Sequence, residues 1–179
     1  MPERDDGFVA IDTAAEHVFF YTAKNATPTG SALLNWFMAA TTSSKKQRFQ
    51  LLAVNGRMTH IRATQGHSTK TLDPEKLFTR VTEVPEFYYH GTFYNYIEDI
   101  LYYGLKPGGS DFDSSAEESS RAYTHMSPFL PRDRRCIAGM RKNTPIVLRI
   151  DARTASDVLN VDYWQSASGA ILTDKLLPG

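Results

Sequence analysis

Gln-Arg-Phe-Gln-Leu-Leu-Ala-Val-Asn-Gly-Arg-Met-Thr-His-Ile-Arg-Ala-Thr-Gln-Gly-His-Ser, residues 47–68, holds two strand-like runs around a turn pair. The runs are Gln47 to Val54 and Met58 to Ala63, and the pair is Asn55-Gly56. Asn and Gly tolerate the left-handed conformations of a two-residue hairpin turn, so this stretch predicts a β-hairpin. Ile61 to Ser68, at its end, is polar almost throughout, unlike a strand facing a core. Arg62 falls at a strand end and offers a planar fork of donors for a phosphate or carboxylate. Gln65, Gly66, His67 and Ser68 then form a loop, with Gly66 free to take an unusual backbone conformation.

Ahead of the hairpin, Gly7 to Asp12 alternates briefly, and a helix capped by Asp12 or Thr13 runs to about Tyr21. Residues 24–30 read as a loop. Ser31 to Ala40 reads as a second helix whose Leu33, Leu34, Trp36, Phe37 and Met38 form a broad apolar face for the core, ended by Thr-Thr-Ser-Ser at 41–44. Two helices followed by a hairpin resemble a winged-helix unit, and a lobe boundary is expected near residue 80.

Beyond the hairpin, residues 69–85 form a connector with one helical turn at Pro74 to Phe78. Phe87 to Tyr89 is strand-like and stops at His90-Gly91-Thr92. Tyr94 to Tyr103 reads as a helix with Ile97, Ile100 and Leu101 on one side, closed by Gly104. Ser110 to Ser120 is acidic and serine-rich, the composition of a mobile insert. Arg121 to Ser127 alternates like a strand. Pro131 to Met140, with Arg132, Arg134 and Arg135, reads either as a basic helix face or as a solvated one. Pro145 to Asp151 predicts a central strand, and Tyr163-Trp164 with Gly169 to Thr173 the last strand pair. The expected fold class is α+β.

The chain has 179 residues, enough for one medium domain or two small lobes. Twenty Lys and Arg balance twenty Asp and Glu, so an anionic ligand must be held by a local cluster. A single cysteine, Cys136, excludes an internal disulfide framework and a multi-cysteine zinc site. The five histidines show no metal-ligand spacing, and no metal is expected. No run approaches a membrane span, and the polar N-terminus lacks an apolar signal region, so a soluble intracellular protein is expected, cytoplasmic or nuclear. No glycine-rich phosphate loop, paired carboxylates or nucleophile with its own base stands out. What remains at strand ends and turns is cations, imidazoles and hydroxyls, an inventory for binding a polyanion and stabilising moving charge.

Taken in order, Lys45 to Phe49, Ile61 to Ser68, Tyr-His-Gly-Thr (89–92), Gly-Leu-Lys-Pro (104–107), Arg121 to Ser127, Val147 to Asp151 and Tyr163 to Thr173 resemble the NAD-dependent RNA 2′-phosphotransferases, best known from tRNA splicing. The resemblance runs from about residue 7 to the C-terminus. It implies a winged-helix-like, RNA-binding lobe (1–80) and an ADP-ribosyltransferase-like, NAD-binding lobe with a split β-sheet (81–179), with the site in the cleft between them. It implies that an internal RNA 2′-phosphate attacks the anomeric carbon of the nicotinamide ribose and expels nicotinamide. A ribose hydroxyl then displaces the RNA 2′-oxygen, leaving 2′-OH RNA and ADP-ribose 1″,2″-cyclic phosphate, without a metal. Carried over residue by residue, Arg62 and Arg121 are the phosphate-handling, catalytic arginines. His90, Gly91, Thr92, His125, Ser127 and Ser166 are the NAD-binding residues, and Gln65, Gly66, His67 and Ser68 meet the adenylate side or the RNA.

One departure is plain. The family opens with a helix carrying an Arg-His pair, and no Arg-His dipeptide occurs in this chain. The first lobe is therefore expected to lack that helix, with membership of a larger polypeptide or assembly left open. Two other functions stay compatible: ADP-ribosylation of a nucleic-acid phosphate without completed transfer, and a non-catalytic interaction or surface domain keeping the fold.

Overall fold

The computed structural model describes residues 4–22, 28–43, 45–64, 73–108, 122–141 and 143–179, the side chains of 17–22 excepted. Gln65 to Ser68, Arg121, the 110–120 insert and most of the 24–30 loop lie outside the described residues. The fold is mixed, with α-helices and several small antiparallel sheets, and the chain divides into two compact units, Met1–Gln65 and Gly66–Gly179.

In the first unit, β1 (Val9–Ala10) leads into α1 (Ile11–Thr22), then α2 (Gly30–Thr42), β2 (Phe49–Val54) and β3 (Arg57–Ala63). The three strands form an antiparallel sheet in the order β1-β3-β2. The hairpin forms at the expected turn, with Asn55 and Gly56 at φ 51° and 75°. A two-residue turn pairs Val54 with Arg57 and Ala53 with Met58, but a bulge then shifts the register, and Leu52 faces His60. The shift puts Ile61 opposite Leu51, so that Ile61 packs in the core with Ile11, Ala15, Leu33 and Phe37. A one-residue slip exchanges the faces of a strand, so the bulge decides which β3 side chains are buried.

Three sequence expectations are corrected here. The helix α1 begins at Ile11, directly after β1, so Asp12 is an acidic first-turn residue and neither it nor Thr13 is the cap. The helix α2 runs to Thr42, because Thr41 and Thr42 turn their hydroxyls back to the Met38 carbonyl (2.8 and 2.9 Å) and do not compete with the backbone ladder. Only Leu33 and Phe37 of its apolar residues are buried; Trp36 and Met38 lie on the outer side, 43% and 42% exposed.

The second unit starts with a helical turn, α3 (Pro74–Leu77), as expected. Pro74 occupies its first turn and Asp73 caps it by accepting the Glu75 N–H (3.0 Å). A short strand, β4 (Thr79–Arg80), follows. Strand β5 (Phe87–Thr92) runs through the His-Gly-Thr motif instead of stopping before it. A 3-10 turn (Tyr94–Tyr96) opens α4 (Ile97–Tyr103), which ends at Gly104, φ 85°, as the glycine predicts. Ile97 and Ile100 are half-buried, but Leu101 is turned outward. Strand β6 (Thr124–Met126) lies within the predicted strand. Pro131 to Met140 is not a helix: the Asp133 carboxylate accepts the Arg135 N–H and guanidinium, and that guanidinium stacks on Phe129 (4.2 Å), so local side-chain bonds hold turns.

Strand β7 (Ile146–Asp151) pairs with β5 alone among the described residues, and so is an edge and not the centre of a sheet. A helix that the sequence reading missed, α5 (Ala152–Leu159), follows immediately. Asp151 caps it, accepting the Thr154 N–H at 3.0 Å, and Asn160 ends it in the left-handed conformation. Strands β8 (Trp164–Gln165) and β9 (Ile171–Thr173) form the expected last pair within the sheet β4-β8-β9-β6. One face of that sheet meets the main core of Tyr88, Met126, Ala152, Tyr163 and Ile171. The alternate residues Leu172 and Trp164 pack on the other face with Leu77 and Phe78. Tyr88 and Tyr163 meet edge to face at 5.1 Å, and burial pushes both phenols up to about 12.

Candidate active site: a split between two strands and a braced arginine

The backbone of β5 is bridged at one point to Ser127, the residue that follows β6. Tyr89 and Ser127 exchange both backbone hydrogen bonds, each 2.9 Å, and the ladder goes no further. The direction of the β5 backbone follows from alternation. Glu86 turns its carbonyl to Ala152, at the start of α5 and in register with the β5–β7 pairing, so Tyr88, His90 and Thr92 bond towards β7. Tyr89 and Gly91 therefore turn their N–H and C=O towards β6. At Gly91, β6 has already diverged. The carbonyl that a continued ladder would have bonded to Gly91, that of His125, is taken by the His90 ring at 2.8 Å. Gly91 thus presents one donor and one acceptor, side by side, to the split.

A carbonyl can only accept, so His90 carries its proton on Nδ1 and keeps a lone pair on Nε2. Burial lowers the His90 pKa, partly opposed by that bond to His125, and the ring is neutral at pH 7. His125 makes the same kind of bond just ahead of its strand, Nδ1 to the Tyr123 carbonyl at 3.1 Å. Ser127 is 1% exposed, and its hydroxyl accepts the Phe129 N–H (3.1 Å) and donates to the Cys136 sulfur (3.4 Å).

The segment carrying Cys136 presses on the same junction. A β-carbon on Gly139 would stand 1.8 Å from the Met126 carbonyl oxygen, and one on Gly91 would stand 2.5 Å from both Met140 Cγ and the Thr144 hydroxyl. These two glycines let Gly139 lie directly on the backbone of β6, and Met140 and Thr144 on that of β5. Thr92 is buried at the end of β5. Ser166 is also buried, in the β8–β9 turn, where its hydroxyl pairs with that of Ser168 (2.8 Å) and accepts the Ala170 N–H (3.1 Å). Of the NAD-binding set read from the sequence, His90, Gly91, His125 and Ser127 meet around the split, while Ser166 closes a turn.

Arg62 belongs to the first unit, and its guanidinium is braced. Nε and Nη2 both donate to Gln50 Oε1, at 3.0 and 2.8 Å, and Nη1 donates to the Asp6 carbonyl at 2.9 Å. The Phe8 ring lies beneath it, 4.5 Å from the guanidinium carbon. Desolvation lowers the Arg62 pKa, opposed by the Asp6 charge; the group stays cationic because an arginine titrates far above neutrality. Burial raises the Asp6 carboxyl pKa, but Arg4, the Phe8 N–H and Arg62 outweigh it and hold the carboxyl below its usual range. Gln50, Asp6 and Phe8 were missed in the sequence. An unbulged hairpin would set Gln50 against Ile61, and only the register shift sets it against Arg62. Among the described residues there is no group of three or more His, Cys, Asp or Glu able to hold a metal, and no helix long and apolar enough to cross a membrane.

Comparison with known proteins gives the family. The human tRNA 2′-phosphotransferase 1 is 30% identical over 178 residues, covering 97% of this chain and 61% of the human protein. A probable RNA 2′-phosphotransferase of Hahella chejuensis is 32% identical over 136 residues, 76% of this chain and 62% of that protein. A second, from Burkholderia lata, is 35% identical over 112 residues, 62% of this chain and 47% of that protein. The chain therefore spans less than two thirds of the length of these relatives. The family model of the RNA 2′-phosphotransferases matches residues 1–175, and with nearly the whole chain matched, the protein belongs to the RNA 2′-phosphotransferase, Tpt1/KptA family.

Proposed function

We propose that this chain removes an internal 2′-phosphate from RNA by transferring it to NAD, with RNA held by the first unit and NAD by the second. The observation that carries the NAD half is the open edge of Gly91. A primary carboxamide has one carbonyl and one N–H pair, the complement of a strand residue's N–H and C=O. The split at Gly91 can therefore bind nicotinamide as a missing strand would bind, and the residues present fit the co-substrate. The neutral His90, with Nε2 as acceptor, suits a ribose hydroxyl. The single Tyr89–Ser127 bridge beside the divergence supports an ADP-ribosyltransferase-like split sheet. For the first unit, the order β1-α1-α2-β2-β3 with β3 between β1 and β2 supports a winged-helix-like lobe.

Bound NAD supplies the electrophilic anomeric carbon and leaves as nicotinamide and ADP-ribose 1″,2″-cyclic phosphate. The chain's own part is electrostatic. A 2′-phosphate is already an anion, so no residue need deprotonate it. Arg62 is the phosphate ligand, held in one orientation before the substrate arrives, which is where preorganised charge contributes most. Arg121 carries the second phosphate-handling role, and Gln65 to Ser68 contact the RNA or the adenylate. Thr92, Ser127 and Ser166 support the walls of the NAD site.

The test is to incubate the protein with NAD and a synthetic RNA oligonucleotide bearing one internal 2′-phosphate, then resolve the products by mass spectrometry. A 2′-OH oligonucleotide, nicotinamide and the cyclic phosphate are expected. A stable ADP-ribosylated RNA would replace this reading with the shorter chemistry. Intact NAD and intact phosphate would defeat it.

A further inference from the structure

Gln50 has no role in the functional reading above, yet it accepts two hydrogen bonds from the Arg62 guanidinium. Both donors on one edge of the guanidinium, Nε and Nη2, converge on its Oε1. The contact is built by the fold: the bulge in the hairpin brings Gln50 directly across from Arg62 on the neighbouring strand. The opposite side of the fork is held by the Asp6 carbonyl, and one face of the plane by Phe8. These two braces are a backbone carbonyl and a ring. Gln50 is the one that engages Nε, and so fixes rotation about the last bond of the side chain. It is also neutral. An amide oxygen orients the cation without cancelling its charge.

We propose that Gln50 is a positioning residue for the 2′-phosphate: it acts through Arg62, setting the orientation in which that arginine meets the anion. This rests on Arg62 being the phosphate ligand, and the test separates the two ideas. Four proteins are compared: wild type, Gln50→Met, Arg62→Lys and the double variant. Each is assayed for NAD-dependent removal of the 2′-phosphate from a synthetic oligonucleotide, and for affinity for that oligonucleotide against its 2′-OH counterpart. Gln50→Met keeps length and removes the acceptor. It is expected to lower kcat/KM for the phosphorylated oligonucleotide by about tenfold, the scale of a lost hydrogen bond to a charged group, with the KM for NAD unchanged. In the Arg62→Lys background the same change is expected to cost less than about twofold, because its target is gone. The Arg62 Nε–H resonance reports the brace without any turnover: slow exchange with water in the wild type, fast in Gln50→Met.

If Arg62→Lys leaves phosphate removal and discrimination unchanged, the arginine is not the ligand and both ideas fall. If Arg62→Lys is impaired and Gln50→Met is not, the phosphate reading stands and the role of Gln50 is wrong. Equal losses for Gln50→Met in both backgrounds would also overturn it, since Gln50 would then act elsewhere.

Discussion

Gly139 and Gly169 hold nearly the same backbone conformation, φ +85° and +84°, but stand in different surroundings. Nothing lies within 4 Å of a β-carbon placed on Gly169, whereas one on Gly139 would be 1.8 Å from the Met126 carbonyl oxygen. Gly169→Ala therefore measures conformational strain alone, about 1–2 kcal/mol for an L-residue in a left-handed region. Gly139→Ala has the same strain plus a contact that must open by at least about 1.2 Å, because real β-carbons do not approach closer than 3.0 Å. Met126 cannot yield cheaply. It is fully buried and paired with Ile171, and the next residue makes the bridge to Tyr89. Overpacking adds about 1–3 kcal/mol, and loosening the bridge about 1 kcal/mol for each of its hydrogen bonds. The expected cost is about 1–2 kcal/mol for Gly169→Ala and about 4–7 kcal/mol for Gly139→Ala. Each unit holds one tryptophan, so urea unfolding in a Trp36→Phe background, followed by Trp164 emission, reads the second unit alone. Costs for the two alanines equal to within about 0.5 kcal/mol would refute the view that Gly139 is seated on the β6 backbone.

The neutral state of His90 gives a pH prediction. Its folded pKa lies below the unfolded value near 6.5, so the unfolded chain binds more protons, and stability is lost as pH falls below about 6.5. His90→Asn should flatten the stability profile of the second unit between pH 7.5 and 5.5, and parallel profiles for the two proteins would contradict the assignment. Asp151→Ala removes the α5 cap and is expected to cost about 1 kcal/mol in urea unfolding, while Asp151→Ser, which can still accept the Thr154 N–H, recovers much of it.

Local chemistry was legible in the sequence, and long-range pairing was not. Asn55-Gly56 announced its hairpin because both residues are needed at positive φ, and Gly104 announced the end of α4 for the same reason. Pro145 to Asp151 reads as a central strand because it is aliphatic, but a two-stranded partnership leaves it half-buried. The helix α5 went unseen because its buried face is only Ala152 and Ala155, too small to make an apolar stripe, although Asp151 and Thr154 spell its cap. Of the residues around the split, His90, Gly91, His125 and Ser127 are named in the sequence, but the divergence of β6 beside Gly91 is not. That β6 leaves β5 after one bridge depends on which strand each residue meets, and no local spacing encodes it. The Gln50–Arg62 contact was hidden for a related reason, since counting back from the turn gives the wrong partner once a bulge intervenes.

That bulge also divides the hairpin into two stretches whose phases are independent. Between it and the turn lie Ala53 to Met58, exposed throughout; on its other side lie Ile61 in the core and Arg62 in its brace. Lengthening the tip by a matched pair of residues would move the turn outward and leave the inner register untouched. The tip is therefore a handle, a place to splice a fluorophore tag or a short peptide and test whether the first unit engages RNA, while the arginine stays where the fold has put it.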